Sequence, residues 1–338
     1  MSNIRLNRRL LIAGAAAALA RPALAQSDPW GPALTKLRSF DQSRAVMLYQ
    51  GGQRRMAEVI RGPGLSRAVP IKSVSKSVVA ALLGTAIDRG EVAGVDARLG
   101  DVAPRLIPSG ADPRVADITM SDLVTMQAGL ERTSGANYGG WVNSRNWVAN
   151  ALSRPFVAEP GEGMLYSTGS FHVLGAALTQ ATGQSLLALA RMRLGDPLGI
   201  DIPAWVRDPQ GRYLGGNEMA LTLEGMIRFG EVYRRNGVYD GRQVLSADWV
   251  ARSFEPQTRS RWSGLGYGYG WFLGQSQGTD YALARGYGGQ IICIAQDLDL
   301  TLAITSDPMR PARSGGYFGD LQRLIENDIL PVARMQMG

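Results

Sequence analysis

Strand-type sequence lies at the two ends of this chain and helix-type sequence between them, and that order restricts what it can fold into. Near the start, the runs 45–49 and 56–60 read as two strands joined across Gly51-Gly52. After Ser253 the same signal returns at 267–273, 281–285, 290–295 and 300–305, with Asp297-Leu298-Asp299 as a turn. From Val92 to about Gly230 the periodicity is helical: 118–126 stops near Gly129, 171–182 at Gly183 and 221–235 at Gly237. Ser27-Asp28-Pro29 opens a helix towards Phe40, and a last amphipathic helix over 318–329 ends before Pro331. Such an order predicts a sheet assembled from distant stretches with helices packed on it. The expected class is α/β in the α+β sense. An antiparallel sheet, built from about 26–91 and 231–338, is flanked by helices, and an all-helical subdomain over about 92–230 is inserted into it.

With 338 residues, 45% of them hydrophobic and 19% charged, the chain can bury one sizeable core. The N-terminus reads Asn7-Arg8-Arg9-Leu10, then an alanine-rich apolar segment too short to span a bilayer, then Ala23-Leu24-Ala25 before Gln26. Residues 1–25 are thus expected to be a signal peptide of twin-arginine type. Cleavage would leave 26–338 as a single periplasmic or secreted catalytic domain with no stable membrane insertion. The signal holds Arg5, Arg8, Arg9 and Arg21 and no acid, so the formal charge of +7 falls to +3 in the mature chain. No run of five like charges appears, and nucleic acid is not an expected partner. One cysteine, Cys293 in an apolar run, excludes an internal disulfide, and one histidine makes a zinc site improbable. Neither a metal nor a cofactor is expected.

The stretch that carries chemistry is Ile71-Lys72-Ser73-Val74-Ser75-Lys76-Ser77, which opens the apolar run 78–87. Ser73 and Lys76 stand three apart at a helix start and so share a face of its first turn. There, unpaired N–H groups and the helix dipole favour a developing alkoxide and depress a nearby lysine pKa. A hydroxyl and an amine held this way can act as nucleophile and base without any histidine. Two further stretches stand out. Gly161 to Ser170 places Tyr166-Ser167-Thr168 just before a helix, and Arg285-Gly286-Tyr287-Gly288-Gly289-Gln290 enters an apolar strand where paired glycines allow close backbone approach.

The order and context of these three stretches resemble the serine β-lactamase and penicillin-recognising superfamily. The likeness is greatest to its class C-like branch of carboxylesterases, D-amino-acid peptidases and 6-aminohexanoate-dimer hydrolases. It extends over nearly the whole mature chain and includes 118–130 and 236–246. The resemblance implies a β-lactamase/transpeptidase-like fold. It also implies Ser73 as acylated nucleophile, Lys76 as the lysine one turn on and Tyr166 as the tyrosine of the second box. Tyr287-Gly288-Gly289 would occupy the place of Lys-Thr-Gly, with the backbone N–H groups of Ser73 and Gln290 as oxyanion hole. Two departures bear on substrate: Thr168 stands where β-lactamases of this branch have asparagine, and Tyr287 where they have lysine. Both move the expectation from β-lactams towards esters or simple amides of small molecules. Arg285, two before Tyr287, falls on the same face of a regular strand; a solvated arginine is the leading expectation for it, and a cation at the pocket rim the alternative. Tyr138 and Trp141, on a loop before the second box, are expected to line the pocket.

Other matches are decoys. Gly274-Gln275-Ser276-Gln277-Gly278 has nucleophile-elbow spacing, but a strand follows it and the only histidine, His172, lies upstream. It reads as a hairpin turn, and His172 as a structural residue. The leading expectation is an exported serine hydrolase acting on esters or amides through an acyl-enzyme, with proton transfer through the Lys76 and Tyr166 pair. The alternatives are a β-lactamase or D-alanyl peptidase, and an idle ligand-binding or sensor domain on the same scaffold.

Overall fold

The computed structural model describes residues 28–337, so the expected signal and its cleavage position lie outside the described residues. The chain begins with α1 (Gly31–Ser39), then β1 (Ser43–Gln50) and β2 (Gln53–Val59), which pair antiparallel across Gly51-Gly52. Both glycines take positive φ, +61° and +70°, which a tight hairpin turn requires. After a short loop, α2 (Ser75–Asp88) runs through the centre of the molecule. Further on lie α3 (Thr168–Thr182) and α4 (Leu223–Arg234). The rest of the sheet follows as β3 (Thr258–Arg259), β4 (Gly266–Tyr267), β5 (Phe272–Ser276), β6 (Thr279–Gly286), β7 (Gln290–Ala295) and β8 (Leu300–Ser306), before α5 (Tyr317–Leu324).

The main sheet is antiparallel, in the order β2-β1-β8-β7-β6-β5-β4-β3, and two two-stranded pairings, 69–70 with 220–221 and 238–239 with 242–243, lie outside it. The N-terminal hairpin joins the C-terminal strands through β1 and β8, which exchange partners from Ser43↔Ser306 to Gln50↔Leu300. Residues 99–198 supply no strand of this sheet and consist of helices, turns and loops. The central strands β7 and β8 are buried along their whole length, as strands covered on both faces are, and β7 is apolar from Ile291 to Ala295. Cys293 sits inside β7, fully buried. The apolar helix α2 is buried from Ser75 to Ala86, so it has no solvent face.

Two sequence expectations change on contact with the structure. The expected strand 267–273 is two short strands, β4 and β5, separated by a bend at Gly268 to Gly270. Packing requires the bend: a Cβ at Gly268 would lie 2.2 Å from the Ser253 carbonyl, and the Gly270 carbonyl accepts a 2.6 Å hydrogen bond from Ser77 Oγ of α2. The last helix does not stop before Pro331. A π-helical turn over Ile325–Ile329 re-phases it, and Leu330–Met335 continues with Pro331 in its first turn, where a missing N–H costs nothing. The stretch from Gly274 to Gly278, read as a hairpin turn, is the β5–β6 hairpin, with Ser276 opposite Thr279.

Helix α2 is seated by Gly84, where an added Cβ would lie 2.5 Å from the ring of Trp249, itself 2% exposed. Replacing Gly84 by Val should overpack this contact and destabilise the protein by about 1–3 kcal/mol. Thermal unfolding measures it, and an unchanged Tm would mean that α2 is free to shift.

Candidate active site

Ser73 lies in a 3₁₀ turn, Lys72–Val74, that runs directly into α2. Lys72 takes a left-handed φ of +52°, a strained conformation for a residue with a side chain. Neighbours hold it there. Its carbonyl accepts from Ser75 Oγ at 2.6 Å, and its ammonium pairs with Glu218 at 2.8 Å. One turn on, Lys76 is 2% exposed. Its Nζ donates to the Gly216 carbonyl at 2.7 Å, to Ser73 Oγ at 3.1 Å and to Thr168 Oγ1 at 3.3 Å. All three acceptors are neutral, and no carboxylate lies within salt-bridge distance. Burial therefore dominates and lowers the Lys76 pKa to about 7.

Tyr166 closes the other side, with its ring centroid 5.0 Å from Lys76 Nζ. Burial pushes its phenol above the ordinary value, while hydrogen bonding with Ser73 and the positive charge of Arg285 pull it back. The segment is fixed by side chains from 133–134. Ser134 Oγ accepts from the Thr168 N–H at 2.9 Å and meets Thr168 Oγ1 at 3.1 Å, and Thr133 Oγ1 accepts from the Gly169 N–H at 2.7 Å. Helix α3 is thus capped from another loop, since Ser167 makes no side-chain cap bond.

A third segment, 215–221, was not marked by sequence reasoning. Val69 and Pro70 pair with Leu221 and Ala220, and Met219 donates its N–H to Ser75 Oγ at 3.2 Å, which carries the Gly216 carbonyl to Lys76. Only the Gly215-Gly216 pair hints at it in the sequence, and both glycines are needed for close approach. A Cβ at Gly215 would lie 2.1 Å from the Phe171 carbonyl, and one at Gly216 3.3 Å from Lys76 Nζ. His172 steadies this segment: its Nδ1 accepts from the Gly215 N–H at 3.3 Å, and its Nε2 faces Asp208 at 3.2 Å. The ring is fully buried against Trp141 and Trp147, and its pKa is lowered by that burial, so it stays neutral as an acceptor.

Ser73, Lys72, Tyr138, Tyr166, Thr168, Gly286 and Tyr287 share one cavity of about 860 Å³. Other expected pocket residues are placed elsewhere. Trp141 is 0% exposed and packs on Trp147 and Leu214, because its indole N–H is taken by the Trp147 carbonyl. Gly288 and Gly289 form the turn after β6 and pack against the Asp307 carbonyl and the Tyr317 ring, away from the cavity. Gln290 is also fully buried, and its amide clamps Ser306 through both oxygen and nitrogen. The cavity wall includes Tyr287 but not Gln290, the residue expected to give the second oxyanion N–H. Gly286 packs so closely that a Cβ would lie 2.2 Å from the Ile71 carbonyl, which brings the following N–H, that of Tyr287, beside the Ser73 turn. Among the described residues the Tyr287 N–H makes no backbone hydrogen bond, so it is the better second donor. No group of three or more metal-ligating side chains gathers among the described residues.

The Beta-lactamase family model matches residues 42–325. The chain belongs to the beta-lactamase family. Solved structures agree on the fold at low identity. A Bacillus anthracis protein assigned provisionally as a 6-aminohexanoate-dimer hydrolase aligns with a TM-score of 0.73 and 17% identity, over 90% of this chain and 82% of its own. EstCE1, a hydrolase with promiscuous acyltransferase activity, aligns at 0.68 and 17%, over 89% and 96%. A beta-lactamase from Mycobacterium bovis aligns at 0.64 and 17%, over 88% and 100%. No curated protein matches the sequence of this beta-lactamase-family chain.

With Lys76 near 7 and Tyr166 above its ordinary value, the two groups predict different pH profiles. If neutral Lys76 is the base, kcat/KM for a neutral ester falls about tenfold per pH unit below 7 and is flat above it. A profile that shows no plateau near 7 and is still climbing at pH 10 would assign the base to the Tyr166 phenolate.

Proposed function

We propose that this beta-lactamase-fold hydrolase is a serine hydrolase that cleaves carboxylic esters or simple amides of small molecules through an acyl-enzyme. The observation that carries the proposal is the hydrogen bond between Lys76 Nζ and Ser73 Oγ, made by a buried lysine with no acidic partner. A lysine in that setting loses its proton near neutrality, and a neutral amine can take the proton of Ser73. In the first step Ser73 Oγ bonds to the substrate carbonyl carbon, and its proton passes to the Lys76–Tyr166 pair. The carbonyl electrons move onto oxygen, where the N–H groups of Ser73 and Tyr287 receive the charge. Collapse breaks the bond to the alcohol or amine, which leaves with the transferred proton. Water then attacks the Ser73 ester, the same pair takes the water's proton and returns it to Ser73 Oγ as the bond between the acyl carbon and Oγ breaks, and the acid is released.

Apolar walls from Phe272 and Phe318 and an exposed rim of Trp262, Tyr287 and Met309 suit a substrate with an apolar part. Thr168 in contact with Lys76 supplies a hydroxyl where a side-chain amide would hold the acylamide of a β-lactam, which supports esters and simple amides.

A short-chain nitrophenyl ester, nitrocefin and a linear amide separate the possible activities. The ester or the amide is expected to turn over fastest. Ser73→Ala should lose at least about 10³-fold in kcat and all labelling by a phosphonate. Labelling that survives in Ser73→Ala would sink the nucleophile assignment, and silence on all three substrates without labelling would favour an idle binding domain.

We also propose export through the twin-arginine route, on the basis of Arg8-Arg9 and the small residues before Gln26. Mass spectrometry of the protein from an exporting host should find Gln26 at its N-terminus, and an intact Met1 end would refute cleavage.

A further inference from the structure

The cavity opens on a surface unlike the rest of the molecule. Among the described residues only two aromatic side chains are exposed, Trp262 at 52% and Tyr287 at 48%, and both stand on the cavity rim. Met309, 78% exposed, stands there with them. The other six tryptophans are buried or half-buried. Scattered exposed apolar residues are ordinary, but rings gathered at one opening mark a surface that is covered in use.

The charge at this rim is equally one-sided. Four segments contribute to the cavity there, 131–138, 259–264, 285–290 and 308–316, and they carry Arg132, Arg259, Arg261, Arg285, Arg310 and Arg313 against one acid, Glu131. Glu131 is taken by Arg154 at 2.6 Å. Two of the arginines do not belong to the surface in question, because Arg259 lines a separate hollow and Arg285 is sunk between Phe272 and Phe318. Arg310 pairs with Asp41 at 2.9 Å, in an exposed contact that is easily broken. Arg132, Arg261 and Arg313 make no salt bridge among the described residues. The Arg132 guanidinium lies 5.1 Å from the centroid of the Trp262 ring, so charge and aromatic surface meet directly.

Rings beside arginines are the set that settles at a boundary between water and lipid. The rings enter among the headgroups, while the guanidinium groups stay at the phosphates. An acidic protein would pair the arginines and leave the rings unused, whereas an anionic bilayer takes both. We propose that the rim formed by Trp262, Tyr287 and Met309, with Arg132, Arg261 and Arg313, is a docking face for an anionic phospholipid surface, which brings the cavity mouth against the bilayer. This goes beyond the hydrolase reading, since docking needs no turnover. With both in place, an apolar ester dissolved in the lipid reaches Ser73 without crossing bulk water.

Co-sedimentation of the full chain with vesicles tests it. Vesicles of phosphatidylglycerol and phosphatidylcholine in equal parts should bind at least about tenfold more tightly at low salt than phosphatidylcholine alone, and high salt should remove the difference. The double variant Arg132→Gln/Arg261→Gln, with wild-type circular dichroism, should lose at least about tenfold in binding to the anionic vesicles. Brominated phosphatidylcholine in those vesicles quenches only indoles that enter the bilayer. It should quench the wild type and lose most of that effect on Trp262→Phe. Residues 1–25 are common to all variants, so differences between variants read the rim.

Equal binding to both kinds of vesicle, unchanged binding in the arginine variant, or the same quenching in Trp262→Phe as in the wild type would overturn the docking face. Binding of polyglutamate without binding of vesicles would give the rim to an acidic protein and overturn it as well. Ser73→Ala should bind vesicles as the wild type does. Vesicle binding by a protein silent on every ester and unlabelled at Ser73 would therefore remove the hydrolase alone, and ester turnover without vesicle binding would remove this inference alone.

Discussion

Lys76 is a buried ammonium supported by three neutral oxygens, and the rest of the site is arranged to make that possible. Lowering a lysine from its ordinary 10.5 to about 7 costs on the order of 5 kcal/mol while the group is charged. Because the folded value is depressed, the cost is absent above pH 10.5, grows as pH falls and levels off below about 7. Hydrogen bonds to Gly216, Ser73 and Thr168, each worth about 1 kcal/mol net, return only part of it. The remainder is carried by the core around α2, whose Val78, Val79, Leu82 and Leu83 are at most 2% exposed. A carboxylate at Lys76 would remove the penalty but would keep the amine protonated and useless as a base.

The three acceptors come from three separate regions of the chain, and each is positioned by a different local device. Ser73 is held by the strained Lys72 turn, Thr168 by a helix start capped from Ser134, and Gly216 by the two-residue pairing of 69–70 with 220–221. His172 and Asp208 act behind the third, taking the Gly215 N–H so that the next carbonyl points at Lys76. The histidine that a triad search would select first therefore works as a neutral scaffold acceptor, shielded by two tryptophans.

This division explains what was legible in the sequence. The antiparallel sheet from both chain ends could be read because strand and helix periodicities differ and because β7 has an unbroken apolar run from Ile291 to Ala295. Ser73 and Lys76 could be picked out because their side chains stand three apart at a helix start, and Tyr166 through the resemblance of its box to a known family. Gly216 could not, since any residue has a carbonyl and only folding selects which one meets the lysine. The second oxyanion donor is hidden for the same reason: Gln290 and Tyr287 both have an N–H, and only the fold puts Tyr287 on the cavity wall. Trp141 had the composition of a pocket wall, but its indole N–H needed a buried acceptor and found one at Trp147, inside the core.

Arg285 shows the reverse case, a side chain whose spacing was visible but whose burial was not. Two-residue periodicity put it on the face of Tyr287, and an arginine on a strand end is ordinarily solvated. What makes it unusual is the segment 308–318, more than twenty residues later, which brings Phe318 and Ser314 over it and contributes no acid. The cavity thus separates two kinds of buried cation. Lys76 lies among neutral acceptors that satisfy all three of its donors, and its desolvation lowers a pKa that can cross neutrality. Arg285 has donors left over, and its pKa, lowered only to about 10, leaves it charged at any working pH. Desolvation lets the first lose its proton near neutrality and leaves the second as a fixed positive charge, so the same physical cost has opposite results for the two cations.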